Sequence, residues 1–169
     1  MKMSDSLSLG EVVAADGGRV LRLEGTPSVV KIHGYEVEGQ YSVIEHTLMP
    51  GVLVPPHVHE GYEHLTLVLR GEVGFRVATS DGTARQGDYV LMPRGVPHAL
   101  WNGTEEPVTY AHVTTPGGFE GYFIEMAEMF KGDRPDPERL RALAARYTSR
   151  YVPEQVAEIE ARYGVRAAT

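Results

Sequence analysis

Cysteine is absent from all 169 residues, which excludes disulfides and thiolate metal ligands; any transition metal must be held by imidazole or carboxylate groups. Basic excess is lacking as well. Sixteen Lys and Arg stand against 23 Asp and Glu, leaving a formal charge of −7, so long-range repulsion opposes encounter with phosphate backbones and anionic membranes. No nucleic-acid or membrane partner is expected. No apolar run approaches the roughly 20 residues of a membrane span. The opening Met1-Lys-Met-Ser-Asp-Ser-Leu7 also lacks the apolar centre of a signal peptide, so a cytoplasmic location is expected. Internal repeats and low-complexity tracts are missing too. One domain with one core fits the length.

What is present changes character along the chain. After an N-terminal extension over 1–17, the stretch from Gly18 to Pro116 reads as short β-rich runs punctuated by Gly, Pro and Asp, the pattern of an antiparallel sandwich or barrel. Eight strands are expected: Ser28 to His33, Tyr41 to Leu48, Val52 to Pro55, His64 to Leu69, Glu72 to Ala78, Tyr89 to Met92, His98 to Trp101 and Val108 to Thr114. Turn signals such as Ser80-Asp81-Gly82 separate them. An all-β jelly roll follows. From 117 to 169 the period becomes helical. Phe119, Tyr122, Phe123, Met126, Met129 and Phe130 share one face. Past Gly132-Asp-Arg-Pro135, Asp136 and Pro137 are suited to cap and start a second helix. A third helix begins near Pro153 and ends at Gly164. This short helical appendage is expected to pack on the barrel or at a dimer interface. Sheet edges need cover, so a homodimer is expected.

Histidine carries the chemistry. Four of the seven lie in two Gly/Pro-framed segments, Gly51-x5-His57-x-His59-x4-His64-x6-Gly71 and Gly87-x5-Pro93-x-Gly95-x2-His98-x3-Asn102. Residues two apart on a strand share a face, so His57 and His59 can reach one ion from one strand, with His64 approaching from the next. His98 follows the rigid turn Pro93-Arg-Gly-Val-Pro97, which can return a distant strand to the first motif. Four imidazoles at about 2.0 to 2.2 Å suit one divalent ion per chain, Mn, Fe, Co, Ni, Cu or Zn, and leave two positions open for chemistry. Glu63 and His64 are adjacent and face opposite ways on a regular strand, so one of them, not both, completes the set. His33, His46 and His112 each stand alone on a strand, where packing or surface roles are commoner. Tyr41, Phe75, Leu100 and Trp101 read as ordinary core before cavity lining.

At these residues the chain resembles the cupin superfamily, whose second motif it matches at every position. In the first motif His64 occupies the place of the family's glutamate ligand, and the carboxylate, Glu63, comes one residue earlier. The runs Val43-Ile-Glu-His46, Pro55-Pro-His-Val-His59, Met92-Pro-Arg-Gly-Val-Pro-His98 and Thr115-Pro-Gly-Gly-Phe-Glu-Gly-Tyr-Phe123 are similar to bacterial single-domain cupins of the quercetin 2,3-dioxygenase type. Four histidines with this interval to the glycine also resemble some manganese cupins and cupin-type polyketide cyclases, which favours His64 as the ligand. The resemblance implies a double-stranded β-helix and a metal-dependent enzyme acting on an enolisable or phenolic small molecule, a quercetinase-like dioxygenase first. A non-redox cyclase or isomerase and a non-catalytic small-molecule-binding module are the alternatives. It implies for Glu63, where that side chain faces inward, the role of base toward the substrate hydroxyl.

Overall fold

The structure, a computed structural model, describes residues 12–131 and 136–168; most of the expected N-terminal extension and the Gly132 to Pro135 link lie outside them. Ten strands run in order before the first helix: β1 Arg19–Leu21, β2 Ser28–Ile32, β3 Ser42–Leu48, β4 Val52–His59, β5 Glu63–Arg70, β6 Glu72–Val77, β7 Ser80–Arg85, β8 Tyr89–Met92, β9 His98–Trp101 and β10 Val108–Thr115. There follow α1 Glu120–Met129, α2 Pro137–Arg146, β11 Ser149–Tyr151, α3 Val156–Tyr163 and β12 Arg166–Ala167. They form two sheets, β1-β2-β3-β10-β5-β8 and β11-β4-β9-β6-β7, with β12 pairing β4. No helix among the described residues is long and apolar enough to cross a membrane.

Alternation builds the interior. Ser42, Ile44, His46 and Leu48 are buried while Val43, Glu45 and Thr47 between them are only partly so, the period of two that puts one face of a strand on the core. Leu48, Val68, Val73, Ala84, Val90, Met92, Leu100, Val108 and Tyr110 fill the space between the sheets. Strand β9 is buried on both faces, because its outward residues Ala99 and Trp101 lie beneath α3 and pack with Leu53, Ile159 and Val165. The Trp101 ring stacks on Tyr163 at 4.3 Å and crosses Gly74 so closely that a Cβ there would stand 2.1 Å from its Nε1. Trp101 is therefore outer core, whereas Leu100 faces the cavity.

The helices close two different faces. Phe123, Ile124 and Met126 of α1 pack against Leu21, Leu23, Val30 and Ile44. The α2 helix starts as its sequence indicates, with the Asp136 carboxylate accepting from the Glu138 amide at 2.9 Å and Pro137 in its first turn. The α3 helix ends at Gly164 with φ +67°.

Four strands stand outside the expected eight: β1, β7, β11 and β12. Ser80-Asp81-Gly82 is no turn: it lies in β7, and the chain reverses one step earlier at Ala78 and Thr79, between Val77 and its partner Ser80. Ala78 takes φ +55° there. Strands β11 and β12 both add to β4, one antiparallel at His57 to His59 and the other parallel at Val52 and Leu53. The tail is thus partly sheet.

Candidate metal centre

Strand β4 carries His57 and His59 on one face, and the antiparallel partner β9 sets His98 opposite His57. The turn between Pro93 and Pro97 is held in place by a hydrogen bond from the Gly95 amide to the His59 carbonyl at 2.9 Å, with Gly95 at φ +71°. That left-handed conformation is the reason for glycine. His57, His59 and His98 offer nitrogens that all lie within 4.8 Å of one another. Two ligands on one ion at about 2.1 Å can be no more than about 4.2 Å apart, so this trio fits a single ion after small shifts.

His64 comes from the other sheet. It is buried at 2 % exposure, its ring centroid 4.6 Å from that of His59 and 6.0 Å from that of His98. It stands beside the trio, outside the 4.8 Å group. Its Nε2 is buried with no hydrogen-bond partner, the condition of an atom awaiting a ligand. Glu63, one residue earlier on β5, is only partly buried and does not line the cavity that the histidines line.

The far side of each ring is tied. His57 Nδ1 lies 2.7 Å from the Pro55 carbonyl and His98 Nδ1 lies 3.0 Å from the Val96 carbonyl; a carbonyl only accepts, so each Nδ1 carries the proton and each Nε2 a lone pair. His59 Nδ1 lies 2.6 Å from Ser149 Oγ. That hydroxyl already donates to the Tyr147 carbonyl, so it accepts from His59 and fixes the same tautomer. His64 Nδ1 shares a hydrogen bond of 2.8 Å with Thr114 Oγ1 across the strand pair. Such anchoring orients rings toward a metal.

Burial keeps the rings neutral. Desolvation first, then repulsion from His98, pushes His57 down to about 3. His59, His64 and His98 are likewise held below the usual histidine range, each chiefly by desolvation. Neutral imidazole is the metal-binding form. The donor set therefore fits a divalent late first-row ion by its chemistry, its tautomers and its one orphaned nitrogen.

The rings stand at the base of a cavity of about 160 Å³, the scale of the ~150 Å³ engineered cavity that admits benzene. Val54, Met92 and Leu100 wall it from the barrel, and Phe119, Tyr122 and Phe123 cover it from the tail. Glu24, exposed, is its only acidic lining residue among those described. Two further histidines, His46 and His112, line it as well, so six of the seven histidines converge and only His33 stands apart, stacked on Tyr35. The sequence reading treated His46 and His112 as isolated. Their parity was the available signal: each alternates with buried residues, His46 with Ile44 and Leu48, His112 with Tyr110 and Thr114. Ser149, in a strand the sequence did not suggest, was missed altogether.

Residues 44–114 match the family model described as Cupin domain. Among curated proteins the chain is 27 % identical over 141 residues to Auxin-binding protein ABP20 of Prunus persica, covering 80 % of this chain and 65 % of that protein. It is 32 % identical over 114 residues to Germin-like protein 5-1 of Oryza sativa subsp. japonica, covering 60 % and 49 %. The chain thus spans less than two thirds of the length of these relatives. Among solved structures, KdgF from Halomonas sp. superposes with a TM-score of 0.59 at 15 % identity, over 66 % of this chain and 99 % of that one. A predicted oxalate decarboxylase from Thermotoga maritima gives 0.57 at 20 % identity, over 62 % and 97 %. At such identities the likeness is one of fold. The stretch from within β3 into β10 thus matches the cupin domain model, and the barrel that it builds has the cupin fold.

Proposed function

We propose that His57, His59, His64 and His98 hold one divalent transition metal ion, and that the protein is an enzyme acting on a small enolic or phenolic substrate by quercetinase-like, oxygen-dependent C–C cleavage. The observation that carries this reading is the convergence of neutral, tautomer-fixed histidines at the base of an apolar cavity of one-ring scale. When bound, such an ion supplies Lewis acidity toward an enol or phenol oxygen and, where the metal is redox-active, a route to cleavage by O2. Both oxygen atoms enter the product, so no separate reductant is needed.

The chain's own residues bind and shield. Val54, Met92 and Leu100 offer apolar contact to a flat ring, while Phe119 and Phe123 keep water from the reacting end. Tyr122 and Tyr151 meet at the mouth, their hydroxyls 3.2 Å apart. No carboxylate other than the exposed Glu24 stands in the described lining, and Glu63 is outside it. The cavity therefore suits a substrate acidic enough to ionise readily, and the base role considered for Glu63 has no part in this proposal.

A second reading is favoured by the same all-imidazole set: a non-redox ion would orient an enolisable carbonyl compound for cyclisation or isomerisation. The two separate on oxygen. Metal-reconstituted protein incubated with flavonols, β-diketones and poly-β-ketones is expected to consume O2 and release cleaved product. Turnover undiminished under anaerobic conditions contradicts the dioxygenase and supports the cyclase.

A further inference from the structure

Beyond the four proposed ligands, a row of rings continues into the cavity: His64, His112 and His46 follow one another with centroids 5.0 Å apart at each step. Tyr110 flanks the last two at 4.9 and 5.2 Å. His46 and His112 line the cavity, and His46 Nε2 together with both ring nitrogens of His112 is buried without a hydrogen-bond partner. A buried polar group left unpaired has given up its hydration with no bond in return, so three in one place need a reason.

Their polarity is fixed by their neighbours. Ser28 Oγ donates to the Thr26 carbonyl at 2.8 Å and lies 2.7 Å from His46 Nδ1, so it accepts the Nδ1 proton and His46 Nε2 is left as a pure acceptor. His112, a neutral imidazole, has one N–H and one lone pair. An acceptor beside a donor matches a hydroxyl group, which can give its proton to one ring and receive from the other. A carbonyl offers no donor to His46, an ether likewise, and a carboxylate, itself only an acceptor, would set its oxygens against the His46 lone pair.

We propose that His46 and His112 form a hydroxyl-recognition subsite that selects a ring bearing an OH, at the part of the cavity that lies beyond His64 in this row of rings. This deepens the proposed function by naming the substrate class, a small hydroxylated aromatic or enolic ring, and its metal-facing end rests on that reading. The hydroxyl selection stands on His46 and His112 alone.

The test separates the two. In the first arm, metal-free wild-type protein is titrated calorimetrically with phenol and with anisole, rings of the right scale that differ in the donor. Phenol is expected to bind about tenfold tighter, and His112→Phe, which leaves the Ser28 to His46 bond intact, is expected to reduce the preference to near unity. His46→Phe should do the same, and circular dichroism checks that both variants are folded. In the second arm, zinc-loaded protein meets 2,4-dihydroxyacetophenone and 2-hydroxy-4-methoxyacetophenone, with zinc content measured in each variant. The same preference is expected for the free hydroxyl, lost in both variants at unchanged zinc content. A preference that survives in folded His112→Phe, or failure of the wild type to prefer phenol, overturns the subsite. Loss of the zinc arm alone, with the phenol preference intact and sensitive to His112, supports the subsite while contradicting the metal reading.

Discussion

Ser149 is the residue through which the tail reaches the candidate metal centre. Its hydroxyl holds His59 Nδ1 at 2.6 Å, and the preceding Thr148 receives the Glu60 amide on its carbonyl and the Gly61 amide on its Oγ1, so the β4 to β5 turn between His59 and His64 is fixed from outside the barrel. Partners that orient a ligating histidine typically contribute 10- to 100-fold in metal affinity. Ser149→Ala is expected to weaken metal binding by about that factor with little change in circular dichroism, as read by competition with a chromophoric chelator; unchanged affinity would show that β4 alone sets the ring. At this scale the sequence was legible where spacing alone decides. His57, His59 and His98 are brought together as the two motifs indicate, and His64, not Glu63, faces the interior. Ser149 was illegible because its partner lies 90 positions away and nothing local marks a serine as a histidine's acceptor.

At the scale of elements, α3 is latched to the barrel by charge as well as by apolar contact. The Arg76 guanidinium, 7 % exposed, bonds the Asp81 carboxylate at 2.5 and 2.8 Å and the Glu158 carboxylate of α3 at 2.9 and 3.0 Å. Tyr163 adds a bond to Asp81 at 2.7 Å. Removing the arginine leaves the partly buried Asp81 to Tyr163 and Arg162 and takes away its charge-assisted bidentate partner, a loss on the order of 2 kcal/mol. Arg76→Met is expected to lower the Tm by several degrees and to expose Trp101, seen as a red-shifted fluorescence maximum; an unmoved spectrum would mean that Ile159 and Val165 suffice to hold α3. The same network explains a misreading of the sequence. Ser80-Asp81-Gly82 has turn composition because β7 is an edge strand that carries a charged latch, and edge strands are under little pressure to look apolar. Strands β11 and β12, of three and two residues, are too short for alternation to show, and only the free edge of β4 gives them their form. The strands of the barrel interior were legible because both sheets press one face of each against a common core.

For the whole molecule, the clustering of buried histidines sets an acid limit. Burial lowers His46 from 6.5 to about 3, so the unfolded chain binds a proton that the folded chain refuses, and stability falls as pH drops from 6.5 toward 3. Asp81, lowered to about 2 chiefly by its hydrogen bond with Arg76, adds a loss of the same sign below 3.8, the range in which the unfolded carboxyl is protonated and the folded one is not. Metal-free protein is therefore expected to lose Tm progressively below pH 6.5, with a shallower fall in His46→Gln; a Tm constant between pH 6.5 and 4 would contradict the burial of His46. The two sheets contribute unequally to the candidate centre, three histidines from one and His64 from the other, so the proposed ion would tie the sandwich across its interior. The most direct measurement is elemental analysis of the purified chain beside His98→Ala, His64→Gln and Glu63→Gln. About one divalent transition metal ion per chain is predicted for the wild type and Glu63→Gln, with most of it lost in His98→Ala and His64→Gln. A folded wild type that takes up no such ion when supplied with it, or loss in Glu63→Gln with retention in His64→Gln, would contradict the account.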